Sequence, residues 1–271
     1  MNTREGKEPM AKVITVINEK GGTGKSTTAG AITTGLTLVG KKVLLIDTDI
    51  QGNLTDTFKA NRNKKTVMDL LKGTATADKA IQKTEQGYIV PSSRSLATAD
   101  MELFYPDGQP ATTKEKQTVP YRLKKALEPV QKMFDYIVID TPPTLSTITT
   151  NALTACDSII IPCEAEQYSL DGLGQLNRTI EAVRRTTNSK IKVEGILIVR
   201  YDNRTILSRQ LKETLVRAAK VLNTKVFNRP IRECVAIKEA HSMKKDIFRY
   251  APRSNAAADY EELLKEILKN E

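Results

Sequence analysis

The amino-acid sequence predicts a doubly wound α/β fold, in which helices cover both faces of a mostly parallel sheet within one domain. Helical patterns alternate with short strand-like runs, as in folds built from strand–helix–strand units. The chain contains no internal repeat and no linker long enough to divide it. Five of the runs are apolar on both faces, which is typical of covered parallel strands. They are Lys12–Asn18, Lys42–Asp47, Asp135–Asp140, Ser158–Pro162 and Glu194–Val199.

The remaining elements follow in chain order. Residues 1–10 are polar and are predicted to form a flexible arm, which leaves residues 11–271 as the domain. The first strand ends in a glycine-rich loop that leads into a helix over Thr27–Val39. The other predictions are helices over Tyr121–Met133, Leu173–Arg185, Leu207–Leu222 and Ala256–Leu268, an exposed loop over Asp107–Val119, and a sixth short strand over Lys225–Phe227.

Composition argues against several classes of protein. The chain has 271 residues and is 39% hydrophobic, which is enough for a sizeable core. No apolar run approaches the ~18 residues of a membrane span, and the first ten residues do not resemble a signal peptide. Three cysteines without a CxxC spacing argue against a disulfide framework or a four-thiolate metal site. The only histidine, His241, is assigned no role. These features predict a cytoplasmic protein.

Positive charge is concentrated in the C-terminal third. The net charge is +10, and 18 Lys and Arg stand against 6 Asp and Glu between Arg184 and Arg253. The predicted helix Leu207–Leu222 carries an apolar stripe on one face (Leu211, Leu215, Ala218 and Leu222). A basic stripe lies on the other face, within an arc of ~140°; it consists of Arg209, Lys212, Arg217 and Lys220.

This basic region predicts a surface that binds the phosphates of double-stranded DNA. Arg204 precedes the helix, and Lys244 and Lys245 extend the region. The stripe contains no aromatic residue, which argues against base stacking. A solvated surface that merely uses lysine is the alternative interpretation, and for Lys244 and Lys245 the two interpretations are equally supported.

A second motif, Asn18–Thr28 (NEKGGTGKSTT), lies between a predicted strand and a predicted helix, where phosphate-binding loops occur. Its glycines let backbone N–H groups turn toward a phosphate, and the start of the helix favours an anion. Lys25 can reach the β- and γ-phosphates, and the Ser26 hydroxyl can bind Mg²⁺. The candidate nucleotide contacts are Lys20, Gly21, Gly22, Thr23, Gly24, Lys25, Ser26 and Thr27.

Carboxylates follow two of the predicted strands. Asp47 and Asp49 end the second strand in the run DTDIQGN, and Asp140 ends the third in DTPP. Carboxylates at the carboxyl ends of strands, beside a phosphate loop, are suited to handling Mg²⁺ and water. The generic loop pattern G-x-x-x-x-G-K-[ST] is not matched at its first position, Glu19, and a second lysine, Lys20, precedes the glycine pair.

Taken in order, K-G-G-T-G-K-S-T, D-T-D-I-Q-G-N and D-T-P-P resemble the motifs of the ParA/MinD family of ATPases, whose Walker A box carries the extra lysine. Over nearly the whole chain the resemblance is to the ParA/Soj partition branch. It implies a P-loop NTPase fold, with ATP and Mg²⁺ as cofactors. It also implies that Lys20 reaches the nucleotide of a partner subunit and that Asp49 orients the attacking water. The Mg²⁺ residues that it implies are Ser26, Asp140 and Asp49.

The resemblance further implies adenine contacts at Pro230 and Ile231. The sequence departs from the family there, because the usual I-P-R reads Ile231-Arg232-Glu233, and also at Ile50, where the family has proline. The implied function is segregation of a plasmid, integrative element or chromosome. An ATP-bound homodimer would bind nonspecific DNA of the nucleoid and release it after hydrolysis stimulated by a ParB-like protein.

Two other functions stay open at this point. The first is a membrane-cycling ATPase like MinD, which would need a basic amphipathic tail. The C-terminal helix here is mostly acidic on its polar face, so no membrane partner is expected. The second is a nucleotide-dependent DNA-binding scaffold that does not hydrolyse ATP. It would require Lys25 or Asp49 to be idle.

Overall fold

The computed structural model describes residues 10–164, 169–202, 204 and 206–269, without the side chains of 169–171, 206, 207, 211 and 221. Most of the predicted N-terminal arm therefore lies outside the described residues. Within them, seven strands form one sheet in the order β3-β4-β2-β5-β1-β6-β7. They are β1 (Lys12–Val16), β2 (Val43–Asp47), β3 (Gln82–Thr84), β4 (Gly87–Val90), β5 (Tyr136–Asp140), β6 (Ser158–Glu164) and β7 (Lys192–Val199).

Thirteen α-helices occur in the described part of the chain. They are α1 (Lys25–Leu38), α2 (Asn53–Thr57), α3 (Val67–Lys72), α4 (Ala77–Ala80), α5 (Ala99–Phe104), α6 (Thr113–Thr118), α7 (Arg122–Leu127), α8 (Thr147–Ala155), α9 (Ser169–Thr186), α10 (Ile206–Val221), α11 (Val235–Ser242), α12 (Ile247–Tyr250) and α13 (Asn255–Lys269). Short 3₁₀ helices lie at Arg94–Thr98, Pro106–Gly108, Val119–Tyr121 and Glu128–Met133.

The predicted fold class is confirmed, because two hydrophobic cores cover the two faces of a mostly parallel sheet. On one face, buried side chains of α1, α12 and α13 pack against alternate residues of the central strands, such as Ile14 and Val16. On the other face, α3, α7, α8, α9 and α10 pack against the intervening residues, such as Val13 and Ile137. Each of the five apolar runs forms a strand of this sheet.

Three local predictions were wrong or incomplete. The β3–β4 hairpin was missed because its strands are short and partly polar; it is the only antiparallel pair among the described strands. The segment Asp107–Val119 contains helix α6, which begins with a capping box of Thr112 and Glu115. The segment Lys225–Phe227 contributes a single parallel bridge, between Val226 and Ile196, and is not a full strand.

Strand register brings the predicted carboxylates together. Strand β5 lies between β1 and β2, with Asp140 level with both Val16 and Asp47. Because parallel strands end at the same edge, the loops after β1 and β2 meet the end of β5 there. This edge of the sheet carries the candidate site.

Helix α1 leaves this edge and packs tightly against α13. A Cβ atom added at Gly35 would overlap a methyl group of Leu264 and lie 3.1 Å from the ring of Phe248. We expect Gly35→Ala to lower the free energy of unfolding, because overpacking costs ~1–3 kcal/mol and the gain in helix propensity is only ~1 kcal/mol. Denaturant unfolding measures the change.

The matched control is Gly174→Ala in α9, where an added Cβ meets no atom within 4 Å. This variant should be at least as stable as the unmodified protein. A Gly35→Ala protein that is equally stable would contradict the packing described for α1 and α13.

Candidate active site

The glycine-rich loop between β1 and α1 is held in shape by its own polar groups. Gly22 and Gly24 have φ values of 77° and 74°, in the left-handed region that favours glycine. The Asn18 side chain donates to the Pro162 carbonyl (2.6 Å) and accepts from the Lys20 N–H (3.0 Å). The loop is thus tied to the neighbouring strand β6 before any ligand is bound.

Lys25 is the buried cation of the site. It is only 6% exposed, and its ammonium donates to the Lys20 carbonyl at 3.0 Å. Desolvation lowers the pKa of Lys25, while Asp140 and Asp49 oppose that change. The loop therefore holds the Lys25 amine against its own backbone, at the wall of the neighbouring cleft.

Asp140 is a fully buried carboxylate at the end of β5. Neither of its oxygens accepts a hydrogen bond of good geometry from any described residue. Desolvation and the neighbouring Asp47 raise the pKa of Asp140 well above its ordinary value, and the nearby Ser26 hydroxyl and Lys25 offset only part of this rise. A buried carboxylate in this state is expected to be paired or to coordinate a metal.

Asp47 is equally buried, but its carboxylate oxygens accept hydrogen bonds from the loop that follows β2. Its Oδ2 accepts from the N–H and hydroxyl of Thr55 (2.7 and 2.6 Å), and its Oδ1 accepts from the Asp49 N–H (3.2 Å). Desolvation raises the pKa of Asp47 to about 6 despite these hydrogen bonds. Asp47 anchors the loop that follows β2, and Asp49 is the carboxylate of this pair that lines the cleft.

The Asp49 loop is a compact turn. The Asp49 carbonyl accepts from the Gly52 N–H (2.9 Å) and from the Ser92 hydroxyl. One carboxylate oxygen of Asp49 accepts from the Gln51 N–H at 3.0 Å. Asp49 also lines the neighbouring cleft, where its carboxylate can meet a ligand.

A cleft of about 560 Å³ lies over the two loops. Of the predicted residues, it is lined by Gly21, Gly22, Gly24, Lys25, Ser26, Thr27, Asp49 and Ile231. Lys20 is exposed, whereas Thr23 and Asp140 are buried. Pro230 does not line the cleft, although the adjacent Ile231 does.

Sequence analysis missed several other residues of the cleft, including Arg200, Arg232 and Tyr260. The Arg232 guanidinium forms two hydrogen bonds with the buried Asp259, both at 2.8 Å, and the Tyr260 hydroxyl lies 3.2 Å from that of Thr28. His241, which was given no role, has its Nε2 2.9 Å from the Thr27 hydroxyl. Desolvation and Arg200 lower the pKa of His241. No local sequence signal marks these contacts between distant segments.

The predicted basic stripe lies on α10, at the β7 edge of the sheet. Leu215 is buried, while Arg209, Arg217 and Lys220 are exposed, as the helical pattern predicts. Lys212 is half-buried, with its ammonium 5.8 Å from the centre of the Tyr201 ring. The side chain of Leu211 lies outside the described residues.

The remaining basic candidates are placed differently. Arg204 is bound by both carboxylate oxygens of Asp202 (2.9 and 2.8 Å). Lys244 forms an ion pair with Asp56 at 3.0 Å, and Lys244 and Lys245 line a cavity of about 190 Å³ beside Ser26 and Thr27. They adjoin α12, which packs on the opposite face of the sheet from α10. Their role in DNA binding stays a prediction.

Comparisons with known proteins agree with this architecture. A family model described as an AAA domain matches residues 11–193. The chain is 38% identical to the sporulation initiation inhibitor protein Soj of Bacillus subtilis, over 96% of this chain and 100% of the relative. It is 36% identical to the chromosome partitioning protein ParA of Caulobacter vibrioides (strain NA1000 / CB15N), over 96% and 95% of the two chains.

Two solved structures are also similar. One is cobyrinic acid a,c-diamide synthase from Mycobacterium smegmatis with a bound ATP analogue and magnesium (TM-score 0.81, 32% identity, 96% of this chain and 95% of that one). The other is a putative plasmid partition protein from Borrelia burgdorferi B31 bound to AMPPNP (TM-score 0.77, 26% identity, 96% and 100%). The shared fold therefore includes a site that holds nucleotide in both of these proteins.

The burial of Asp140 predicts an unusual effect on stability. Its folded-state pKa lies above that of the unfolded chain, so its ionised form destabilises the folded protein at neutral pH, and this cost disappears as the pH falls through the folded-state pKa. We expect Asp140→Asn to raise the free energy of unfolding by ~1–2 kcal/mol at pH 7.5 without added metal. The gain should shrink on acidification, as measured by denaturant unfolding across pH.

Asp47→Asn is the control. Its side chain would turn an amide N–H₂ toward N–H or hydroxyl donors that now face carboxylate oxygens, so no gain is expected. A destabilised Asp140→Asn protein at neutral pH would show that the Asp140 charge is already compensated in the folded chain.

Proposed function

Because the chain belongs to the ParA/Soj type of the ParA/MinD ATPase family, we propose that it is an ATP- and Mg²⁺-dependent partition ATPase. It would segregate a plasmid, an integrative element or a chromosome. ATP binding would close two subunits into a homodimer that binds DNA without sequence preference. Hydrolysis, stimulated by a ParB-like partner, would release the DNA.

The observation that carries this proposal is the orphaned carboxylate of Asp140. A buried pair of oxygens that accepts no hydrogen bond of good geometry from the described residues suits a hard cation, and the Ser26 hydroxyl is near enough to lower the pKa of Asp140. Asp140 and Ser26 would hold Mg²⁺, with Asp49 at the edge of the same cleft. When bound, the metal ion neutralises charge that develops on the transferred phosphoryl group.

The nucleotide contacts follow from the loop. Its backbone N–H groups and Lys25 would bind the phosphates, while Ile231 lines the part of the cleft proposed for adenine. Asp49 would orient the attacking water. The similarity to a synthase that binds an ATP analogue and magnesium supports this site, and the relatives named for partition support its use in segregation.

The exposed lysine Lys20 would act across the dimer. It directly precedes the glycine pair of the loop, and its backbone carbonyl accepts a hydrogen bond from the Lys25 ammonium. In the proposed dimer each Lys20 contacts the nucleotide of the other subunit. Dimerisation would also place two basic α10 stripes on one assembly. The larger number of phosphate contacts would raise the affinity for DNA and make that affinity depend more strongly on salt.

Two alternatives are less well supported. In a MinD-like protein the C-terminal helix would meet a membrane, but the apolar residues of α13 (Tyr260, Leu263, Leu264 and Ile267) are buried against the sheet. Among the described residues, no helix is both long and apolar enough to cross a bilayer. A scaffold that binds nucleotide without hydrolysing it would still use Lys25 and Asp140, but it would leave Asp49 in the cleft without a use.

Lys20→Ala tests the proposed dimer. The variant should bind ATP as a monomer with affinity within about threefold of the unmodified protein, which is below ~1 kcal/mol. It should lose the ATP-dependent dimer, because the contact across the interface is gone. Analytical ultracentrifugation with ATP and Mg²⁺ measures the fraction of dimer. The control is Lys64→Ala, which changes another exposed lysine. An intact ATP dimer in Lys20→Ala would refute the role.

Replacing the four residues of the basic stripe (Arg209, Lys212, Arg217 and Lys220) with alanine tests the DNA surface. We expect weaker binding to nonspecific duplex DNA and a salt dependence shallower by ~0.9 in log–log slope per lost phosphate contact. ATP binding should be unchanged. Binding titrations at several salt concentrations measure both quantities.

A matched variant carries alanine at four exposed lysines elsewhere: Lys64, Lys79, Lys114 and Lys116. It removes the same formal charge from the chain. A loss of DNA affinity in the α10 variant alone would therefore come from the α10 surface and not from the change in net charge. Equal affinity losses in the two variants would mean that the α10 stripe is not the DNA-binding surface.

A further inference from the structure

Arg62, in the segment after α2, is bound to the loop that carries Asp49. One guanidinium nitrogen, Nη2, lies 3.0 Å from the Gln51 carbonyl, 2.9 Å from the Gly52 carbonyl and 2.7 Å from a carboxylate oxygen of Asp56. A single side chain thus joins the end of the Asp49 loop to the helix that follows it.

Gly52 makes room for this contact. Its φ is 63°, and a Cβ atom there would lie only 2.5 to 2.8 Å from the guanidinium nitrogens of Arg62. A glycine at this position therefore serves two purposes: it allows the left-handed turn, and it lets the planar guanidinium approach the backbone.

Asp56 is shared with a second cation from a distant part of the chain. Its other carboxylate oxygen accepts from the Lys244 ammonium at 3.0 Å. Desolvation raises the pKa of Asp56, but the hydrogen bonds from Lys244 and Arg62 outweigh it, so that the pKa lies below its ordinary value. The carboxylate stays ionised at neutral pH and keeps both cations in place.

The Asp49 loop is restrained by Arg62 in addition to its own hydrogen bonds. Its residue 50 is isoleucine, so no proline ring fixes φ in the turn. The Asp49 side chain is held through its own hydrogen bond to the Gln51 N–H, and the Gln51 carbonyl is one of the groups that Arg62 binds. The position of the Asp49 carboxylate therefore depends on the peptide groups that Arg62 restrains.

We infer that Arg62 is a positioning residue for ATP hydrolysis. It holds the peptide groups of Gln51 and Gly52 so that the Asp49 carboxylate faces the cleft. This inference rests on the role proposed for Asp49. Arg62 itself does not line the cleft, so it acts on the rate of the chemical step and not on nucleotide affinity. Lys244 has a supporting part, because it anchors Asp56 from the opposite side.

The test compares steady-state ATP hydrolysis by the full chain with Arg62 changed to Ala or to Lys. Arg62→Ala should lower kcat by about tenfold or more, since displacing a reacting group by ~1 Å can cost ~100-fold. KM and the affinity for a fluorescent ATP analogue should stay within about twofold. Arg62→Lys should also be slow, because the lysine side chain is shorter and more flexible and does not hold a nitrogen at the position of Nη2, and this variant replaces Arg62→Ala if the alanine protein does not fold.

Chemical rescue separates positioning from general loss of structure. The Arg62 side chain is 26% exposed, so free guanidinium ion can enter the space that alanine leaves. Added guanidinium should restore part of the lost kcat at a concentration that leaves the unmodified protein unaffected. Sodium ion at the same ionic strength, which has no hydrogen-bond donors, should restore none. Equal rescue by both ions would overturn the inference.

Arg184→Ala is the matched control. Arg184 is 27% exposed, donates to a backbone carbonyl (Ile191) and to a carboxylate (Glu181), and lies on α9. This variant should keep kcat within about twofold. An Arg62→Ala protein with unchanged kcat, or with a raised KM at unchanged kcat, would contradict the positioning role.

Asp49→Ala separates the role inferred for Arg62 from the role proposed for Asp49. If Asp49→Ala loses turnover while Arg62→Ala keeps it, the role of Arg62 is wrong and the proposed function stands. If Asp49→Ala turns over ATP as fast as the unmodified protein, the role proposed for Asp49 is wrong, and the inference about Arg62 fails with it.

Discussion

The arrangement of the site depends on placing negative charge where water cannot reach it. Parallel pairing sets Asp140 level with Asp47, and both carboxylates are fully buried at the carboxyl edge of the sheet. Asp47 receives three hydrogen bonds, whereas Asp140 receives none of good geometry from the described residues. The buried ammonium of Lys25 balances only part of this charge. The folded chain therefore holds an electrostatic cost that a cation at Asp140 would relieve.

The neighbouring loops are built around this charge. The Thr48 hydroxyl donates to the Asp140 carbonyl (2.5 Å), and the Thr141 hydroxyl donates to the Val16 carbonyl (2.9 Å), so the three strand ends are joined beyond the regular ladder. Asn18 ties the glycine-rich loop to β6. A rigid edge of this kind can hold phosphate-binding groups in place before a ligand arrives, which reduces the entropy lost on binding.

Features formed by residues that are neighbours in the sequence could be predicted, and contacts between distant segments could not. The glycine-rich loop and the strand ends at Asp49 and Asp140 are contiguous motifs, and their meeting follows from parallel strands alone. The β3–β4 hairpin was not predictable, because three or four partly polar residues carry no periodicity. The pairs Asp56–Lys244 and Thr27–His241 were also out of reach, since 188 and 214 residues separate their members. From the sequence Lys244 was either a DNA-binding residue or a solvated lysine, and its ion pair with Asp56 beside the glycine-rich loop was not predicted.

In the proposed function, nucleotide bound at the carboxyl edge of the sheet controls DNA binding by the basic stripe of α10. The most direct test is binding of the unmodified protein to nonspecific duplex DNA without nucleotide, with ADP, and with ATP plus Mg²⁺, each at two salt concentrations. We predict tight binding only with ATP and Mg²⁺, and a sharp loss of affinity at the higher salt concentration. Equal affinity in all three nucleotide states, or no binding in any of them, would contradict the claim.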